Sequence, residues 1–179
     1  MALEKFYKII ITFLSSYTFG DEIFFNPFTA NIEIEKIGYY SNSFVSSGLI
    51  SYQNDGFIYK LREPMNQQYI GFKDKLIVQD DDFKQVMMYS ENYNFLLSKV
   101  LNSDIEYEQV ECEDICLSSS IYDEYIRSSY ITLVDDKLDQ IRIIDNQNQI
   151  FLIKFSNLVY ESFSISYEVP NDYQVIRND

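Results

Sequence analysis

The chain contains no histidine and no tryptophan, and its 179 residues include only 5 glycines, 3 prolines and 2 cysteines. Without an imidazole there can be no serine–histidine or cysteine–histidine dyad and no histidine-ligated metal. The scarcity of glycine and proline argues against a low-complexity or disordered chain. Basic residues are also few: 14 Lys and Arg face 28 Asp and Glu, a formal net charge of -14. That deficit works against binding a nucleic-acid backbone or an anionic membrane surface, and it suits solubility and docking to a basic partner. Long apolar runs are missing too. The run at residues 9–14, preceded by Lys5 and Lys8, is too short and too interrupted for a membrane span. It resembles the apolar centre of a secretory signal, although Glu4 and the lack of a small-residue cleavage motif also suit a retained amphipathic helix. Residues 1–20 are therefore expected to be a signal peptide or an N-terminal helix, and residues 21–179 a single domain. Cys112 and Cys116 would lie roughly 13 Å apart on an extended strand, whereas a disulfide needs about 4.4–6.8 Å. They can bond only if the backbone turns at Glu113-Asp114, so free thiols and a local staple both remain open.

What the chain has is aromatic residues, 16 Tyr and 14 Phe, 17% in all. Aromatic and β-branched residues favour strands. Residues 48–89 hold several short apolar runs separated by turn signals at Asn54-Asp55-Gly56, Pro64, Lys73-Asp74-Lys75 and Asp80-Asp81-Asp82. This spacing predicts an antiparallel meander. Phe57, Tyr59 and Leu61 fall on one face, Lys60 and Arg62 on the other, so the sheet has one dry and one wet side. Before the meander, Ala30, Ile32 and Ile34 alternate with Asn31, Glu33 and Glu35 in a first strand. After it come an acidic edge strand at 105–110, a poorly patterned stretch at 115–122, and a hairpin of 124–134 with 137–144 around Asp135-Asp136. A strand at 150–155 and another at 163–169 follow. The period changes at residues 90–102, where Tyr93, Leu96, Leu97, Val100 and Leu101 recur at helical spacing behind Ser90 as an N-cap. Such a stripe either packs into the core or lids a cavity. About ten strands and one or two helices result. A sheet of that length curls or splits. The expected fold is mainly β: an unclosed, strongly curved antiparallel barrel with a helical lid or plug.

Few motifs carry chemistry. No glycine-rich nucleotide loop or metal-ligand spacing stands out. Asp80-Asp81-Asp82 reads as an acidic hairpin turn rather than a cation site. Asp145-Asn146-Gln147-Asn148-Gln149 lacks the glycine and distal glutamate of a calcium loop and also reads as a turn. No catalytic residue and no cofactor are expected, and the chain is not read as an enzyme. What remains is the apolar face, with Phe57, Tyr59, Leu61, Leu76, Val78, Ile150, Leu152, Phe163 and Ile165. It can be a filled core or the wall of a cavity.

Two blocks resemble the periplasmic outer-membrane lipoprotein carrier family, LolA and its LolA-like relatives. The first runs from Ser47-Gly48-Leu49-Ile50 to Arg62-Glu63-Pro64, then Gln68-Tyr69-Ile70-Gly71 and Asp81-Asp82-Phe83-Lys84-Gln85-Val86. It is similar to the family's glycine-led strand, aromatic strand ending in proline, and aspartate-rich turn. The second comprises Leu138-Asp139-Gln140-Ile141-Arg142-Ile143-Ile144-Asp145, Gln149-Ile150, the run Phe163-Ser164-Ile165-Ser166-Tyr167-Glu168-Val169-Pro170, and Val175-Ile176. The family commonly has a basic residue beside a proline where this chain reads Gln53-Asn54-Asp55-Gly56, so that lid contact does not carry over. Tyr59 falls at the place of an aromatic-strand tryptophan.

The resemblance implies a carrier that holds lipoprotein acyl chains inside an open barrel and ferries them from inner to outer membrane. Its cavity is then expected to involve Phe57, Tyr59, Leu61, Leu76, Val78, Met87, Leu96, Leu97, Val100, Leu152, Phe163 and Ile165. Met65, Met87 and Met88 would add the adaptability such cargo needs. The family implies an inner-membrane release complex and an outer-membrane acceptor as partners, a periplasmic location and a monomer. The alternatives are a LolA-like carrier of another lipid or glycolipid, and a non-enzymatic acidic adaptor with a packed core.

Overall fold

Strict alternation of apolar and polar residues leaves a strand one way to lie, with its apolar parity against whatever is dry. The structure, a computed structural model, describes residues 26–38, 44–53, 56–72, 75–89, 96–101, 107–112, 115–119 and 125–178. Residues 1–20, and with them the signal or helix expected there, lie outside the described residues. The strands are β1 (Phe28–Ile37), β2 (Phe44–Gln53), β3 (Gly56–Glu63), β4 (Gln67–Phe72), β5 (Lys75–Asp80) and β6 (Gln85–Tyr89). One short helix, α1 (Leu96–Val100), intervenes. β7 (Glu108–Val110), β8 (Ile115–Ser119), β9 (Ile126–Val134), β10 (Lys137–Asp145), β11 (Ile150–Tyr160) and β12 (Gln174–Asn178) follow. They form one curved, open sheet in the order β12-β6-β5-β4-β3-β2-β1-β11-β10-β9-β8-β7.

The register puts the predicted parity inward. Ile32, Gly48 and Leu61 share one cross-strand row, and Ile50, Tyr59, Tyr69, Val78 and Met87 another. The concave core joins Phe28, Ile50, Tyr52 and Phe57 from one half of the sheet to Leu117, Ile131, Ile141, Ile153 and Phe155 from the other. Phe28 anchors one end, its ring 5.6 Å from Tyr52 and edge-on at 6.0 Å to Phe155. Both aspartate turns are hairpin turns. The Asp80 carboxylate accepts the backbone N–H groups of Asp82 and Phe83, and Asp145 accepts those of Gln147 and Gln149.

Three expectations are corrected. The sheet has twelve strands rather than about ten. β8 escapes the pattern because Ser119 takes an inward, buried place that an apolar residue would mark, and β12 because it is an exposed edge where Val175 has no dry face to satisfy. The sheet is not wholly antiparallel, since β12 runs parallel to β6. Of the helix expected over residues 90–102, Leu96–Val100 is described and is helical; Ser90 and Tyr93 lie outside the described residues.

Residues 163–169 are not a strand. Phe163, Ile165, Tyr167 and Val169 are half-buried and alternate with exposed residues, yet the segment pairs with no strand. Its alternation marks a strap laid across the outside of the sheet. Ile165 sits against Gly56, where an added Cβ would meet its Cδ1 at 2.8 Å. The Tyr167 hydroxyl donates to Gln79 Oε1 at 2.9 Å, and that of Tyr173 to Asp81 Oδ1 at 2.8 Å. Gly56 and Gln79 have the parity opposite to Phe57 and Val78, which is the convex side. Ile58, Ile70 and Ile77 form a row on that side, and Ile70 is 0% exposed although it stands outside the concave core.

Cys112 and Cys116 are joined, with Cα atoms 6.0 Å apart. The bridge sits on the hairpin of β7 and β8 at the acidic edge of the sheet.

Candidate functional site: an apolar cavity at the open end of the sheet

The concave face is not filled along its whole length. At the end where β1 meets β2 and β3 meets β4, a cavity of ≈ 310 Å³ opens between the sheet and α1. β1 supplies Ile34 and Lys36, β2 Ser46, and β3 Tyr59 and Leu61. Met65 follows from the β3–β4 turn and Tyr69 from β4. The far wall comes from Ile143 of β10 with Phe151 and Ile153 of β11, and the roof from Leu96 and Leu97 of α1. Among the described residues, no carboxylate and no thiol lines the cavity.

α1 is held at its tail. The last carbonyls of a helix lack partners within it. Here the Tyr52 hydroxyl donates to the Leu101 carbonyl at 2.6 Å, and the Tyr107 hydroxyl to that of Val100. Burial pushes the Tyr52 phenol up to about 12 and the Tyr107 phenol higher still. Both stay protonated donors at any physiological pH. Val100 and Leu101 are thereby fixed in the core, while Leu96 and Leu97, one turn earlier, overlie the cavity. The stripe read as core or lid is both, divided along the helix.

The few polar atoms inside are placed by the sheet. Burial raises the Tyr59 phenol, and the neighbouring Ser46 hydroxyl opposes that shift. The Tyr69 ring stacks on Tyr59 at 5.8 Å. Its hydroxyl donates to Gln67 Oε1, and Gln67 Nε2 donates in turn to the buried Asp80 carboxylate at 2.7 Å. Lys36 stands in the outermost row, its Nζ 5.4 Å from the centre of the Phe151 ring.

Of the residues expected at the cavity, Tyr59, Leu61, Leu96 and Leu97 line it. Phe57, Leu76, Val78 and Val100 belong to the adjoining packed core, and Met87 packs against it. The structure places the other three elsewhere. Leu152 has the parity of Glu35 and Arg142, with which it pairs, and so faces the convex side. Phe163 and Ile165 belong to the strap. Of the methionines, Met65 lines the cavity and Met88, paired with Ile77, is on the convex side. Sequence reasoning passed over Phe151 and Ile153. β11 is apolar at four successive positions, 150–153, which hides the parity, but Lys154 two residues after Leu152 marks that parity as wet. Lys36 and Ser46 were passed over because polar residues on an inward parity read as strand ends.

No family model matches the sequence, and no curated protein matches it. Solved structures do. An uncharacterized conserved protein from Thermus thermophilus aligns over 86% of this chain and 91% of its own, with a TM-score of 0.54 and 13% identity. A LolA superfamily protein from Nitrosomonas europaea aligns over 82% and 92%, with a TM-score of 0.52 and 12% identity. The chain has a LolA-like fold.

Proposed function

We propose that the protein is a non-enzymatic carrier that shelters an acyl chain in the cavity under α1. The observation that carries this reading is an apolar hollow between a curved sheet and a short helix in a fold whose interior could otherwise have been filled. About ten methylenes fit if each takes roughly the 30 Å³ of a water molecule. At about 0.8 kcal/mol each, their burial contributes about 8 kcal/mol before the cost of immobilisation. A net affinity no tighter than about micromolar follows, which suits cargo that must be released again.

The full reading is a periplasmic shuttle that takes lipoprotein acyl chains from an inner-membrane release complex and passes them, as a monomer, to an outer-membrane acceptor. The fold shared with a LolA superfamily protein supports it. So does the disulfide, since such bonds persist in oxidising compartments. The small volume favours one chain, or part of one, over several, so a carrier of a single-chain lipid is the second reading. Mass spectrometry of the protein purified from its own cells tests both. Co-purifying lipoprotein supports the first, and co-purifying free lipid the second. An empty protein that also fails to bind the neutral dye Nile red would end both.

A further inference from the structure

The charge of the cavity wall is the reverse of the charge of the molecule. The chain carries twice as many acids as bases, yet the charged side chain that lines the cavity is Lys36. β1 arranges this by alternation. Glu33 and Glu35 project from the convex face, while Ile34 and Lys36 project into the hollow. Among the described residues one ion pair forms, between Lys84 and Asp172, and Lys36 is not part of it. The Lys36 ammonium is instead poised at the Phe151 ring.

Depth orders the rest. Lys36 pairs with Phe151 of β11 in the outermost row, and Ile34 pairs with Ser46 of β2 and Ile153 of β11 one row deeper. Ser46 is thus a diagonal neighbour of Lys36 across the strand pair, within reach of a group held by the lysine. Beyond them the wall is Tyr59, Leu61 and the leucines of α1. Along the strands an occupant therefore meets a cation in the outermost inward-facing row, a hydroxyl next, and beyond them side chains that carry no charge. Diacylglyceryl groups and other neutral lipid ends leave that ammonium without a counter-ion as they cover it, and a buried cation without one is costly.

We infer that the cavity selects an acyl chain ending in an anionic oxygen group, a carboxylate or a phosphate, held by the Lys36 ammonium with the Ser46 hydroxyl as second donor. This rests on the single-chain form of the carrier reading and names the chemical class of its ligand; it runs against the lipoprotein form. A charge-assisted hydrogen bond at a partly dry site outweighs the contact with Phe151 and favours the anion over its neutral counterpart by about tenfold or more.

Displacement of Nile red by oleate, oleyl phosphate and oleyl alcohol tests this on the full chain. The two acids are expected to compete about tenfold better than the alcohol, and the better of the two identifies the headgroup. Lys36→Gln is expected to erase that preference, weakening the two acids and relieving the penalty on the alcohol, and Lys36→Arg to keep it. Equal competition by acid and alcohol in the unaltered protein, or a preference that survives Lys36→Gln, overturns the inference and leaves the carrier reading standing. Failure of Nile red and of all three competitors to bind overturns the carrier reading and the inference with it.

Discussion

Gly71 has no room for a side chain. A Cβ there would lie 2.2 Å from Cε1 of Phe57, whose ring crosses the glycine on the concave face. Gly71→Ala should force that ring off its rotamer and cost about 1–3 kcal/mol, the usual range for overpacking, read as a lower urea midpoint at unchanged slope. Tyr52 yields a second expectation, with a defined sign. Its folded phenol titrates at about 12, against about 10 when unfolded. The folded state therefore keeps the proton longer. Its stabilising share is fully present below pH 10 and is lost as the pH climbs from 10 through 12. The loss is on the order of 2 kcal/mol. About half of it falls between pH 9 and pH 11, where urea melts, with tyrosinate absorbance followed in parallel, measure it. A midpoint that does not fall between those values would remove Tyr52 from the account of how α1 is held.

At the scale of elements, α1 is short enough that its tail and its head have different tasks. Tyr52 and Tyr107 hold the tail, and Leu96 at the head faces the hollow. Leu96→Trp places a ring in empty space rather than in a packed core. It should leave the urea midpoint within about 0.5 kcal/mol of the parent and weaken Nile red binding about tenfold or more; unchanged binding would move the ligand elsewhere. How far the elements could be read from the sequence follows from parity. β1 and β3 are legible because Glu33, Glu35, Lys60 and Arg62 flag their wet side without ambiguity. β11 misleads because Ile150, Phe151, Leu152 and Ile153 offer no polar neighbour, so Leu152 looks as inward as Phe151 does. The strap misleads for another reason. Alternation reports that one side of an extended segment is drier than the other, and Phe163 and Ile165 are half-buried without pairing at all. The hollow itself has no signature, because the same Leu61 and Ile153 would line it or fill it.

For the whole molecule, the question is what lies on the outside of the bend. Ile70 and Val86 are 0% exposed, and both have the convex parity. Val86 pairs with Gln79, to which Tyr167 donates. The strap crosses this side from Gly56 to Gln79 and is placed to cover them. Ile165→Ala should cost about 1–2 kcal/mol, less than the 2–5 of a fully buried isoleucine because the residue is half-exposed. Truncation after Tyr160 should expose the convex isoleucines and produce association, visible as a rise in apparent mass on light scattering. A truncated chain that stays monomeric at the parent's midpoint would mean that this side needs no cover.

The route of the strap sets a limit on shape. From β11 to β6 it passes six neighbouring strands, roughly 29 Å at about 4.8 Å per step. It also travels from the Phe28 row to the row of Ile32 and Phe155, in which Gln174 begins its pairing beside Gln85. Fully drawn out, residues 161–173 reach roughly 45 Å; the outward bend of the sheet and the turn closed by Tyr173 N–H on the Pro170 carbonyl use part of that length. A sheet of paper with a rib glued to its outer side cannot be rolled tighter without lengthening the rib. The C-terminal segment is therefore expected to resist tighter rolling, and shortening it should change what the hollow can accommodate without touching the occupant.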